Sequence, residues 1–112
     1  MKRIDVILQK VLFYARKASE FTQDIGETEF YANTEKQYAV GLALLQIGEM
    51  VSLLPEDFRM SHPDLPWRKI KGLRNIIAHH YSTVDENLLW KLLSDDLPAL
   101  IKALELITPE ER

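Results

Sequence analysis

WRKIKGLRNIIAHHY, residues 67 to 81, is the stretch on which the reading of the chain turns. At about 100° per residue, Arg68, Lys71, Arg74, Asn75, His79 and Tyr81 share one side of a helix. Ile70, Leu73, Ile76 and Ile77 take the other, with His80 in their midst. So sharp a division at the helical period predicts an amphipathic helix from Trp67 to about Tyr81. It also separates two adjacent histidines. His79 keeps company with the cations, whereas His80 belongs on the apolar side as a packed or hydrogen-bonded structural residue.

Working outward, Pro66 stands at the entry of this helix, where a missing N–H costs nothing. Before it, PEDFRMSHPDLP (residues 55 to 66) carries Pro55, Pro63 and Pro66 and reads as a connector, with a short helical turn at 56 to 60. Beyond Ser82-Thr83, a fourth helix starts near Asp85, with Leu88, Leu89, Leu92, Leu93, Leu97, Leu100, Ile101, Leu104 and Ile107 on its stripe. Pro98 lies inside it. The helix is expected to kink there, or to split into two with Asp95 capping the second.

Towards the N-terminus, Ile4, Leu8, Val11, Leu12, Ala15 and Ala18 recur at spacings of three and four and predict a helix over 2 to 23. Gln23 to Gly26 reads as a break. A second, long helix is expected over 27 to 53, although Asn33-Thr34 interrupts its apolar pattern near the start, where an exposed face or a displaced cap would fit. Gly41 and Gly48 are seven residues apart on one face of this helix and would let a neighbouring helix approach closely. No segment alternates with a period of two. The expectation is an all-α domain spanning 1 to 112, with four main helices in a bundle.

Composition narrows the chemistry. There is no cysteine among the 112 residues, which removes disulfides, thiolate catalysis and cysteine-based zinc sites. Neither a G-x-G-x-x-G nor a P-loop pattern occurs. No run of about 18 apolar residues is present, so a soluble cytoplasmic protein without membrane contact is the expectation. The formal net charge of −3 argues against nonspecific coating of nucleic acid. Its distribution is uneven, however. From Leu65 through Val84 there is no Asp or Glu, while Arg68, Lys69, Lys71 and Arg74 all fall inside. An anionic ligand therefore has a local place to bind.

The polar face of the third helix carries usable chemistry. Histidine can take and return a proton near neutrality. Arginine offers a rigid fork of donors suited to phosphate oxygens. Asn75 can orient a ring or a ligand one turn before His79, and Tyr81 can hydrogen-bond a phosphate or stack on a base. A metal centre fits poorly, because His79 and His80 point to different sides and neither H-E-x-x-H nor Glu-x-x-His is present. Ser82 and Asp85 lack the context of a nucleophile elbow. Arg74 and His79 lie about 140° apart on the wheel, so a two-fold dimer pairing the third helices would gather two arginines and two histidines into one cleft.

RNIIAHHY fits R-x4-H-x-Y with Arg74, His79 and Tyr81 at the fixed places. Together with the preceding HPDLPWRKIKGLRN and the following VDENLLWKLLSDDLPAL, it resembles the HepT-like proteins, a branch of the HEPN superfamily, across essentially the whole chain. The resemblance implies an antiparallel four-helix bundle of the HEPN type that forms a homodimer. It further implies the toxin of a type VII toxin–antitoxin module, partnered by a minimal nucleotidyltransferase antitoxin of the MntA kind. Members are described as metal-independent endoribonucleases acting on cellular RNA, needing no cofactor. Carried over, the catalytic pair is Arg74 and His79. Asn75 matches the polar residue that often follows the arginine, and Tyr81 matches the tyrosine that the antitoxin silences by adding AMP. Many relatives have glycine where this chain has His80.

With that resemblance, the expected reaction is attack of the ribose 2′-OH on the adjacent phosphorus, leaving 2′,3′-cyclic phosphate ends, with Arg68 and Lys71 holding flanking phosphates. The alternative is a noncatalytic helical module that binds a nucleotide or a nucleotidyltransferase. A plain structural bundle with incidental histidines is a third reading.

Overall fold

The computed structural model describes residues 4–80 and 86–109, with His80 and Glu86 described by their backbone alone. Every regular element among them is helical: α1 (Ile4–Thr22), α2 (Glu27–Tyr31), α3 (Thr34–Val51), α4 (Glu56–Met60), α5 (Trp67–His80), α6 (Glu86–Lys91) and α7 (Leu97–Ile107), with a π-helical turn over Leu92–Asp96. None of the described helices is long and apolar enough to cross a membrane.

α3 sits between α1 and α5 and packs along both, and α7 closes against α1. The core follows from the stripes. Leu8, Val11, Leu12, Ala15 and Ala18 of α1 are buried against Val40, Ala43, Leu44, Ile47 and Val51 of α3 and Leu97 and Leu104 of α7, all in one apolar cluster. Ile70 and Ile77 bring α5 into the same cluster.

The long helix expected over 27 to 53 is instead two. Asn33 adopts an extended backbone (φ −115°, ψ 91°) and its side chain accepts from the Lys36 N–H at 2.9 Å, an N-cap that starts α3. Gln37 then donates to the carbonyls of Phe30 and Tyr31 at 2.8 and 3.1 Å, satisfying the end of α2. Phe30, on this short α2, is fully buried.

The proline of the last helix also acts differently from the cap expected of Asp95. The backbone stays helical through Lys91, Asp96 and Leu97, and the ladder widens into the π-turn immediately before Pro98, at the head of α7. A wider turn accommodates a ring that has no N–H and crowds the preceding carbonyls. Asp95 is exposed and caps nothing; the residue preceding α7 is Asp96, which makes no side-chain cap bond. Its carboxylate instead accepts from Lys69 Nζ of α5 at 3.2 Å.

The connector does fold as expected over 56 to 60. It is tied down by Trp67, whose indole Nε1 donates to the carbonyls of Arg59 and His62 at 3.0 and 2.9 Å. Trp67 is thereby buried at the head of α5, although its wheel position lies on the polar side.

Candidate functional site

The site is built where α3 and α5 come closest. A Cβ placed on Gly48 would lie 2.6 Å from the Cβ of Arg74 and 3.0 Å from its backbone nitrogen. Only glycine fits there, and the close approach expected of the glycine face is realised at this residue. The next residue along α3, Glu49, reaches the arginine side chain: Arg74 Nε donates to Glu49 Oε1. Arg74 Nη1 donates in turn to Asn75 Oδ1 at 3.2 Å. The guanidinium is thus held on two sides, with its remaining N–H groups available to a ligand. Both partners of the ion pair are more than two-fifths exposed. Solvent screens such a pair, so it orients Arg74 more than it stabilises the fold.

A groove of about 750 Å³ opens beside this contact, lined by Gly48 and Glu49 of α3 and Ser52 just after it, by Glu56, Arg59 and Met60 of α4, and by Trp67, Arg68, Lys71, Gly72, Arg74 and Asn75 of α5. Four cations therefore face one concavity against two carboxylates, one of which is already engaged by Arg74. Arg68, Lys71, Arg74 and Asn75, all singled out by the helical wheel, come together here. His79 does not line the groove; it is exposed, further along α5. The apolar side of the helix is as expected, with Ile70 and Ile77 buried. The side chain of His80 and the whole of Tyr81 lie outside the described residues.

Three residues of the site escape a reading of the motif alone. Glu49 is signalled only by its place directly after a glycine that admits another helix. Glu56 and Arg59 sit in the proline-rich connector, and nothing in their spacing says that Trp67 will fold them over the head of α5. Among the described residues, no group of three or more His, Asp or Glu is placed to hold one metal ion.

An arginine fixed by a carboxylate and an amide, in a groove of further cations, is a place for an anion with several oxygens, such as a phosphodiester. Comparison with known proteins agrees in kind. Residues 11–107 match the family described as ribonuclease HepT-like. A protein of Methanocaldococcus jannaschii named as a putative RNase is 39% identical over 104 residues, covering 93% of this chain and 95% of the relative. One of Thermococcus cleftensis, named as a probable ribonuclease HepT, is 40% identical over 81 residues, covering 72% and 74%. Another putative RNase of M. jannaschii is 33% identical over 104 residues, covering 93% and 86%. No solved structure gives a significant match. On the breadth of the family match and these identities, the chain belongs to the HepT-like ribonuclease family.

Proposed function

We propose that the protein is a metal-independent endoribonuclease toxin that cuts RNA by transfer within the substrate, with Arg74 and His79 as its catalytic residues. The observation that carries this reading is the held guanidinium of Arg74 in a cation-lined groove, in a chain of the HepT-like ribonuclease family.

The steps follow from the groups present. The ribose 2′-OH attacks the adjacent phosphorus as the bond to the 5′-oxygen breaks. Charge builds on the nonbridging oxygens, where Arg74 donates. One histidine takes the 2′ proton and one returns a proton to the 5′ leaving oxygen, the two roles that imidazole can fill. The products are a 2′,3′-cyclic phosphate and a 5′-hydroxyl. Arg68 and Lys71 hold flanking phosphates.

Arg74 faces the groove while His79 lies beyond its lining. That separation favours a homodimer in which paired motif helices supply both groups to one scissile linkage, the histidine of one protomer serving beside the arginine of the other. In the same reading the partner is a minimal nucleotidyltransferase antitoxin of a type VII module. AMP on Tyr81, in the same motif as Arg74 and His79, would add negative charge that repels RNA.

The test of the chemistry is the substrate's own 2′-OH. An RNA carrying a single 2′-deoxy nucleotide at a mapped cleavage position should resist cutting there and remain cut elsewhere. Undiminished cutting at the deoxy position would refute attack by the 2′-oxygen.

A further inference from the structure

We infer that the groove between α4 and α5 binds the phosphates of the RNA strand beside the scissile linkage, and that Arg59, outside the motif helix, supplies one of the contacts. The inference rests on the ribonuclease reading for the identity of its ligand.

The charge balance of the groove is its basis. Arg59, Arg68 and Lys71 all line it, and none of the three forms an ion pair among the described residues. Away from the groove, Arg16, Lys17 and Lys69 each have a carboxylate partner, and the groove's fourth cation, Arg74, is paired with Glu49; Lys10, Lys36, Lys91 and Lys102 also form no ion pair among the described residues, but none of them lines this groove. With Glu56 also lining the concavity, four cations face two carboxylates, and the remaining positive charge favours an anion with several oxygens. Arg59 carries a further mark: its Nε is buried and finds no hydrogen-bond acceptor on the protein. A desolvated part of a cation is costly unless opposite charge stands near it.

The position of Arg59 is built rather than incidental. The Trp67 indole grips the Arg59 and His62 carbonyls, fixing α4 over the first turn of α5. Arg68 and Lys71 precede Arg74 by about 9 and 4.5 Å along the helix axis, at ~1.5 Å per residue. His79 lies on the other side of Arg74 along the same axis. The strand therefore runs from the His79 end, past Arg74, to Arg59. Contacts to phosphate position a strand without reading its bases, so Arg59 serves every sequence alike.

The experiment is binding of a 2′-O-methyl RNA, which lacks the attacking hydroxyl, to the wild-type chain and to Arg59→Gln and Arg59→Lys, followed by fluorescence anisotropy across a salt series. Substitution of the side chain leaves the Trp67 clamp intact, since its acceptor is the backbone carbonyl; equal far-UV circular dichroism and melting of the three proteins checks this. The expected result for Arg59→Gln is a Kd raised roughly fivefold near 0.1 M salt, with the slope of log K against log salt smaller by about 0.7, one single-strand phosphate contact. Arg59→Lys should restore the slope. An unchanged Kd and slope in Arg59→Gln would overturn the inference. So would a variant that binds RNA normally but loses a protein partner. Should Arg59→Gln melt early, Lys71→Gln and Arg68→Gln give the same readout for the groove, and wild-type slopes in both would overturn it. Loss of binding without any cleavage by the wild type would keep the groove and discard the nuclease. Cleavage with unaltered binding in all variants would do the reverse.

Discussion

Glu49 of α3 grips the Nε of Arg74 of α5 from the neighbouring helix, so the motif arginine is oriented by a residue 25 positions earlier in the chain. The pair faces solvent and adds at most about 1 kcal/mol to stability. Its effect should appear in the reaction instead. Glu49→Ala is expected to melt close to the wild type while lowering kcat roughly tenfold with little change in KM, because a swinging guanidinium is misaligned in the transition state. Glu49→Gln keeps an acceptor oxygen and should recover part of the loss. Steady-state kinetics on one RNA, with melting of each variant alongside, separates this from a general loosening of the fold, which would lower melting and activity together.

Gly48→Ala should lower stability and activity together. The new methyl would lie 2.6 Å from the Arg74 Cβ and 3.2 Å from its Cα, and atoms at or next to the backbone cannot rotate out of its path. α5 must move away from α3. Overpacking of this kind costs about 1–3 kcal/mol, to be measured by urea unfolding, and cleavage should fall with it because Arg74 is carried out of reach of Glu49.

Much of this architecture was legible in the sequence. The stripes of α1, α3 and α5 identified the core, because a helix that buries one face must repeat apolar residues every three or four positions. The polar face of α5 likewise announced Arg68, Lys71, Arg74 and Asn75. What escaped notice depends on contacts between distant segments. Asn33 reads equally as an exposed residue within a helix or as a cap, and it is the folded backbone, extended at Asn33, that makes it the cap. Asp95 looks like a cap ahead of Pro98, but the chain keeps its helical turn and widens it, while Asp96 turns to Lys69. Glu49 and Arg59 have no local signal, since their roles come from α3 and α4 being laid against α5.

Asn33→Ala offers a control in which stability and function part company. Loss of an N-cap of this type costs about 1 kcal/mol, visible as a lower urea midpoint. The cap faces Lys36, away from the groove-lining residues, so cleavage at a temperature where the variant remains folded should equal that of the wild type.

If a nucleotidyltransferase silences the protein as proposed, its control should pass through Tyr81. Tyr81→Phe removes the hydroxyl that would accept AMP, so co-expression with the nucleotidyltransferase and ATP should no longer silence it, and intact mass should show no added AMP. Silencing that persists in Tyr81→Phe would mean that the partner acts by covering the groove or by modifying another residue.

The central claim, that Arg74 and His79 cut RNA without a metal, is tested most directly by incubating RNA in EDTA with purified wild type and His79→Ala side by side, both free of the partner, and reading the chemistry of the product ends. Loss of a catalytic histidine typically costs about 10² to 10⁴ in rate. The account predicts cleavage by the wild type that leaves 2′,3′-cyclic phosphate and 5′-hydroxyl ends, and a loss of that size in His79→Ala with the fold retained. Full activity in His79→Ala, or activity in the wild type only after divalent metal is restored, would contradict it.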